Sequence, residues 1–81
     1  MTPQQARAVF LEELIRVAPD LDPATIGGGD HIQQDLDLDS MDVLNLVAAL
    51  HARLGVDIPE ADYPDIATAD AAAAYLAARA A

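Results

Sequence analysis

Apolar residues return every three or four positions over three stretches of the chain, and the period lapses between them. In "TPQQARAVFLEELIRVAP", Phe10, Leu14 and Val17 form one row, with Leu11, Ile15 and Ala18 beside it. That spacing predicts an amphipathic helix with this face in the core. Thr2 is suited to the N-cap, Pro3 to the first helical position and Gln5 to a capping box, and Pro19 stops the helix. A second helix is predicted from Ser40 over "SMDVLNLVAALHARLG", closed by Gly55. Its core stripe is Val43, Leu46, Val47, Leu50 and Leu54, and a separate apolar column, Met41, Leu44 and Ala48, runs down another flank. The third, "TADAAAAYLAARA", is rich in the best helix former, starts at a cap on Thr68 or Asp70 and carries Arg79 in its last turn.

The intervening segments read differently. Residues 19 to 38, "PDLDPATIGGGDHIQQDLDL", hold no helical period, and a loop of this length in a small domain points to function. Leu21, Ile26, Ile32, Leu36 and Leu38 are spaced as anchors that tack it to a core, and Gly27 to Gly29 permit a sharp turn. The glycines lack the spacing and the preceding strand of a phosphate-binding loop. Residues 35 to 38 alternate apolar and acidic, a strand-like rhythm. "VDIPEADYPDI", with two prolines, has room for at most a short turn of helix. The expectation is an all-α fold in one domain over residues 1–81: three longer helices, one short one, and a long loop between the first and second.

Charge narrows the partners. Fourteen acids face four arginines and no lysine, a net charge of −10. Nucleic acid is a poor partner for such a surface. No arginine occurs between Arg16 and Arg53, a span holding seven aspartates. That span is either a solvated face that aids solubility or a docking face for proteins with basic patches. The charge also favours a monomer at low ionic strength. The chain has no cysteine, so no disulfide or thiolate metal site supports its core. With no apolar run near the length of a bilayer span and no signal-peptide order at the N-terminus, a cytoplasmic protein is expected.

The candidate chemistry gathers in "DLDLDSMDVL", where Ser40 sits at the mouth of the second helix among four aspartates. A hydrolytic nucleophile needs a histidine partner and oxyanion donors; nothing in the spacing sets His31 or His51 against Ser40, and no G-x-S-x-G turn is present. Asp35, Asp37 and Asp39 mimic the opening of a calcium loop, but Ser40 stands where glycine is needed and Leu46 where a bidentate glutamate belongs, so no metal site is expected. Ser40 or Asp39 would serve as an N-cap, worth about 1 kcal/mol. A cap alone does not explain the acidic cluster and the spare apolar column. The remaining role is a covalent attachment point: a helix N-terminus favours a phosphate there by about 0.3–1 kcal/mol.

"DLDLDSMDVLNLVAALHARLGVDIP" resembles the acyl carrier protein family, whose signature is an Asp-Leu-x-x-Asp-Ser-Leu-Asp-like run opening the second helix. Asp35, Leu36, Asp39, Ser40, Met41 and Asp42 fit it position by position, Ile58-Pro59 follows at the usual distance, and the likeness covers nearly the whole chain. The resemblance implies a small four-helix bundle with a short third helix. It implies that Ser40 receives 4'-phosphopantetheine from coenzyme A through a separate phosphopantetheinyl transferase, and that the arm's thiol carries acyl groups as thioesters. Asp39 and Met41 would flank the attachment point. Asp35, Asp37, Asp42, Leu44 and Ala48 would meet acyl-loading and acyl-processing enzymes with basic docking surfaces. The protein itself would be a carrier and not an enzyme.

Two departures stand out. Asp37 replaces the family's common glycine, and aspartate tolerates the same left-handed backbone. The second helix, usually studded with glutamates, carries Asn45, His51, Ala52 and Arg53. Surface charge sets encounter rate and partner choice, so a specialised stand-alone carrier is expected, in a lipid or polyketide-type pathway. Peptidyl carriers are the near alternative. Their Gly-Gly-His/Asp-Ser run is absent at Ser40, since Gly28-Gly29-Asp30 is followed by His31 and lies well upstream. An unmodified acidic adaptor with a carrier-like fold is the other.

Overall fold

A computed structural model describes residues 1–80. It is all-helical: α1 spans Pro3–Val17, α2 Ser40–Leu54 and α3 Ala69–Arg79, with 3-10 helices at Pro23–Thr25 and Glu60–Ile66. Among the described residues there is no strand. The predicted bundle of three longer helices and a shorter one is present, with Glu60–Ile66 as the short member.

Each boundary has a local cause. Thr2 accepts the N–H of Gln5 and the Gln5 side chain returns to the N–H of Thr2, closing a capping box at α1. α2 ends where Gly55 turns left-handed at φ 69° and donates to the carbonyl of His51 at 2.8 Å. Thr68, not Asp70, caps α3 by accepting the N–H of Ala71 at 3.1 Å. Glu60–Ile66 runs for seven residues, longer than the short turn its two prolines suggested. Pro64 lacks an N–H and its ring would strike the carbonyl four residues back, so the segment takes the tighter 3-10 spacing, with Asp62 N–H donating to Pro59 O.

The buried side chains form one cluster. Phe10 and Leu14 of α1, Leu46 and Leu50 of α2, Ile66 and Leu76 are its fully buried members. Val17, Val47 and Leu54, read as core, pack only partly buried against it. α1 makes its most extensive contact with α3, and the small residues Ala6, Ala69 and Ala72 of these helices are almost wholly buried in the shared core. Short side chains at the crossing let helix axes approach closely. α2 packs on α1, and the 3-10 helix on α3; α2 and α3 are not closely packed on each other.

One carboxylate is inside. Glu13 is 3% exposed and lies 3.4 Å from Arg53 and 3.6 Å from Arg16. Arg53 also pairs with Glu12 at 2.5 Å, and that hydrogen bond, the largest of several causes, raises its pKa. These pairs fasten the end of α2 to α1. Arg7 of α1 pairs with Asp70 in the first turn of α3.

The long loop is fastened to the body. Ile32 and Leu38 are buried, while Leu21, Ile26 and Leu36 pack against the cluster. Ile32 N–H donates to Ala67 O at 2.9 Å, and Asp70 N–H to Gly28 O at 3.0 Å, joining the loop to the start of α3. Gly28 sits so near the Asp70 carboxylate that an added Cβ would collide with it. The strand-like alternation of residues 35 to 38 corresponds to no strand. A turn over residues 32–36 leads into an irregular stretch in which Asp37 adopts φ 61°; Leu38 is buried, Leu36 packs against the core, and Asp35 and Asp37 are exposed.

Candidate functional site

Asp39 sets the position of Ser40. Its extended backbone ends the loop, its carboxylate accepts the N–H of Asp42 at 2.8 Å, and the Asp42 carboxylate accepts the N–H of Asp39 at 3.2 Å. This reciprocal box makes Asp39 the cap and Ser40 the first residue of α2. Ser40 is exposed. Among the described residues its own N–H and that of Met41 have no hydrogen-bond acceptor. The hydroxyl is therefore carried at the positive end of a 15-residue helix, beside two unused donors. A phosphate ester formed on that oxygen fits these residues, since the helix end supplies the donors and the partial charge such a group needs.

The other sequence-predicted residues surround it unevenly. Met41 is 62% and Leu44 48% exposed, and Ala48 lies exposed further along the same column. This apolar flank reaches solvent, as its separation from the core stripe implied. Asp35 is exposed, with one carboxylate oxygen accepting the N–H of His31 at 2.7 Å. Asp37 is exposed in its left-handed turn. Asp42 is half-buried, with one oxygen engaged in the capping box. Asp35, Asp37 and Asp39 do not converge; among the described residues no three acidic or histidine side chains are grouped to hold a metal ion.

Ser40 opens onto a groove of about 670 Å³. Ile32, Val43, Ala67 and Ala71 line it together with the polar residues His31, Gln33, Tyr63 and Thr68. The groove exists because α2 and α3 are held apart at this end, spanned by the loop on one side and the 3-10 helix on the other. No arginine lines it, and Glu60 adds an acid. A second groove, of about 610 Å³, follows the outer side of α2 through Leu44, Val47 and Ala48 to Pro59. Leu44 and Tyr63 line both, so they stand between the two grooves.

The sequence alone singles out Ser40 and the exposed column but not the polar residues that line the groove. In the sequence Thr68 shows only as a helix cap, and Tyr63 lies in a proline-containing segment without a period. In the sequence His31 stands out only as a histidine that a catalytic serine would need. No spacing rule connects residues 31, 40, 63 and 68, because the loop and the 3-10 helix bring them together only after packing. Among the described residues no helix is long and apolar enough to cross a membrane.

Residues 9–76 match the model of the phosphopantetheine attachment site family, which covers most of the chain. Members of that family are carrier domains, generally non-catalytic, that work with transferases and processing enzymes. An exposed serine on a phosphate-favouring helix end, within a small all-helical body, agrees with the match. The chain belongs to the phosphopantetheine attachment family and is a carrier protein of the kind that holds 4'-phosphopantetheine covalently.

Proposed function

We propose that Ser40 is the attachment residue and that the protein carries acyl intermediates, as thioesters, between the enzymes of a specialised lipid or polyketide-type pathway. The observation that carries this reading is the exposed Ser40 hydroxyl at the first position of α2, with free N–H groups beside it and a groove opening next to it. The Ser40 Oγ would form a phosphodiester bond to the phosphopantetheine phosphorus of coenzyme A. The pyrophosphate bond breaks, adenosine bisphosphate leaves, and the hydroxyl proton passes to the transferase or solvent. The bound arm supplies a thiol for thioester formation. Asp39 fixes the helix start that orients Ser40, and with Met41 it flanks the attachment point.

Partner enzymes meet the adjoining face. Asp35, Asp37 and Asp42 supply negative charge near Ser40, and Leu44 and Ala48 supply the apolar contact. Beyond Asp42, α2 carries no further acid on the way to Gly55, so the charged part of the encounter is concentrated at the loop end. An acyl cargo is favoured over an aminoacyl one by the run around Ser40, which lacks the Gly-Gly-His/Asp-Ser pattern.

The decisive experiment incubates the protein with a broad-specificity phosphopantetheinyl transferase, coenzyme A and Mg²⁺, and reads intact mass beside Ser40→Ala. A gain of one phosphopantetheine, absent in the variant, is expected. An unchanged mass with a transferase active on a control carrier would overturn the reading in favour of an unmodified adaptor.

A further inference from the structure

α2 departs from an acid-studded helix at Asn45, His51, Ala52 and Arg53, and only the last two ionisable ones, His51 and Arg53, can bring positive charge. The helix turns these two different ways: at about 100° per residue they project about 160° apart. Arg53 reaches α1, where it pairs with Glu12 and the buried Glu13, and it lines a groove with Leu11 and Ile15. His51 follows Leu44 by seven residues, so it projects within about 20° of that side chain's direction. Its side chain is 57% exposed, and it lines the outer groove together with Leu44 and Ala48. His51 Nδ1 lies 3.0 Å from Oδ1 of Asp57, the acid on that groove's lining. Between Asp42 and Asp57 the chain has no other acid. The far end of the exposed column therefore offers one carboxylate, and an imidazole already stands against it.

Resting on Ser40 as the attachment residue and on the adjoining face of α2 as the partner surface, we infer that His51 determines partner specificity: held against Asp57, it closes the far end of this face to enzymes that place a basic residue there. A lysine or arginine arriving at Asp57 must displace the imidazole or share the carboxylate with it, and a protonated ring repels the newcomer. The acids around Ser40 do not make up the loss. His51 lies about 16 Å along the helix from Ser40, about two screening lengths at physiological ionic strength. The partner that fits gathers its basic residues opposite Asp35, Asp37 and Asp42 and lays an uncharged surface over the His51 end. Arg53, turned to α1 and neutralised there, takes no part in this choice.

The test uses the whole chain with its arm attached, intact mass confirming the loading of Ser40. The probe is a malonyl transferase whose own carrier has glutamates along its second helix, and kcat/KM is measured for transfer from malonyl-coenzyme A to the arm's thiol. His51→Ala, which frees Asp57, is expected to raise kcat/KM roughly threefold, and His51→Glu roughly tenfold, both through KM with kcat unchanged. At about 1 M salt, where the screening length is about 3 Å, both gains should vanish. In an Asp57→Asn background His51→Ala should give no gain, because no carboxylate is left to free. Arg53→Gln should not raise kcat/KM. The proposal is overturned if neither His51 variant gains, if the His51→Ala gain survives Asp57→Asn, or if Arg53→Gln gains as much. A wild-type protein accepted as well as the enzyme's own carrier overturns it too. Failure of Ser40 to gain mass is a different result: it overturns the attachment reading and this inference with it.

Discussion

Asp39 and Asp42 each commit one carboxylate oxygen to the backbone of the other, so the two acids nearest Ser40 serve the helix before they serve any partner. Asp39→Ala should cost about 1 kcal/mol in urea unfolding, whereas Asp39→Asn, which can still cap, should cost much less. Equal losses in the two variants would show that charge, not capping, is what Asp39 contributes. Asp37 makes a separate point. Its φ of 61° suits few side chains, so Asp37→Val should destabilise by about 1–2 kcal/mol while Asp37→Gly should not. Thermal denaturation of the two variants checks this, and similar melting temperatures would contradict a left-handed turn there. The left-handed need at Asp37 was legible only through its departure from a family glycine. The capping box was half legible: both Asp39 and Ser40 fitted a cap, and only the backbone geometry separates them.

Between elements, the α1 and α2 boundaries were readable because caps and periodicity act within a few residues of sequence. The packing of α1 on α3 was not, since alanines give no periodic contrast between a buried and an exposed face. The contacts that join elements are likewise invisible in sequence. Gly28 is one: Gly28→Ala would push the exposed Asp70 carboxylate aside and away from Arg7, and should weaken the fold by no more than about 1 kcal/mol. Combining it with Asp70→Ser should cost less than the sum of the two single changes, and strict additivity would remove the collision as the cause. Tyr75 of α3 is another. It donates to Asp62 of the 3-10 helix at 2.7 Å and lies beneath the guanidinium of Arg79. Burial first, and the bond to Asp62 second, raise its pKa above the ordinary 10.0, with Arg79 acting in the opposite sense. The folded state therefore keeps this proton to higher pH than the unfolded state does. The associated stability is complete below about pH 10 and is lost as pH rises through the folded pKa. Stability of the native protein should thus fall more steeply from pH 9 to 11 than that of Tyr75→Phe, as read by urea unfolding; parallel curves would exclude the linkage.

For the whole molecule, a net charge of −10 on 81 residues sets up self-repulsion that a handful of arginine pairs cannot offset. Raising ionic strength from about 0.01 M to 0.15 M shortens the screening length from about 30 Å to about 8 Å and should raise the melting temperature. A fall instead would mean that Arg7–Asp70 and the Arg53 pairs dominate the electrostatics. The loose meeting of α2 with α3 bears on the molecule's motions as well as its shape. The close α1–α3 pair should then be the stiffer half, and the α2 end that carries Ser40, spanned by the loop through hydrogen bonds such as Ile32 to Ala67, the more yielding one. Hydrogen exchange should then be graded, slowest for α1 and α3 amides that face each other and faster for Ile32 and Val43. Widening the groove would require strain only in the yielding half, so the chain could admit and release a guest without crossing the barrier to global unfolding.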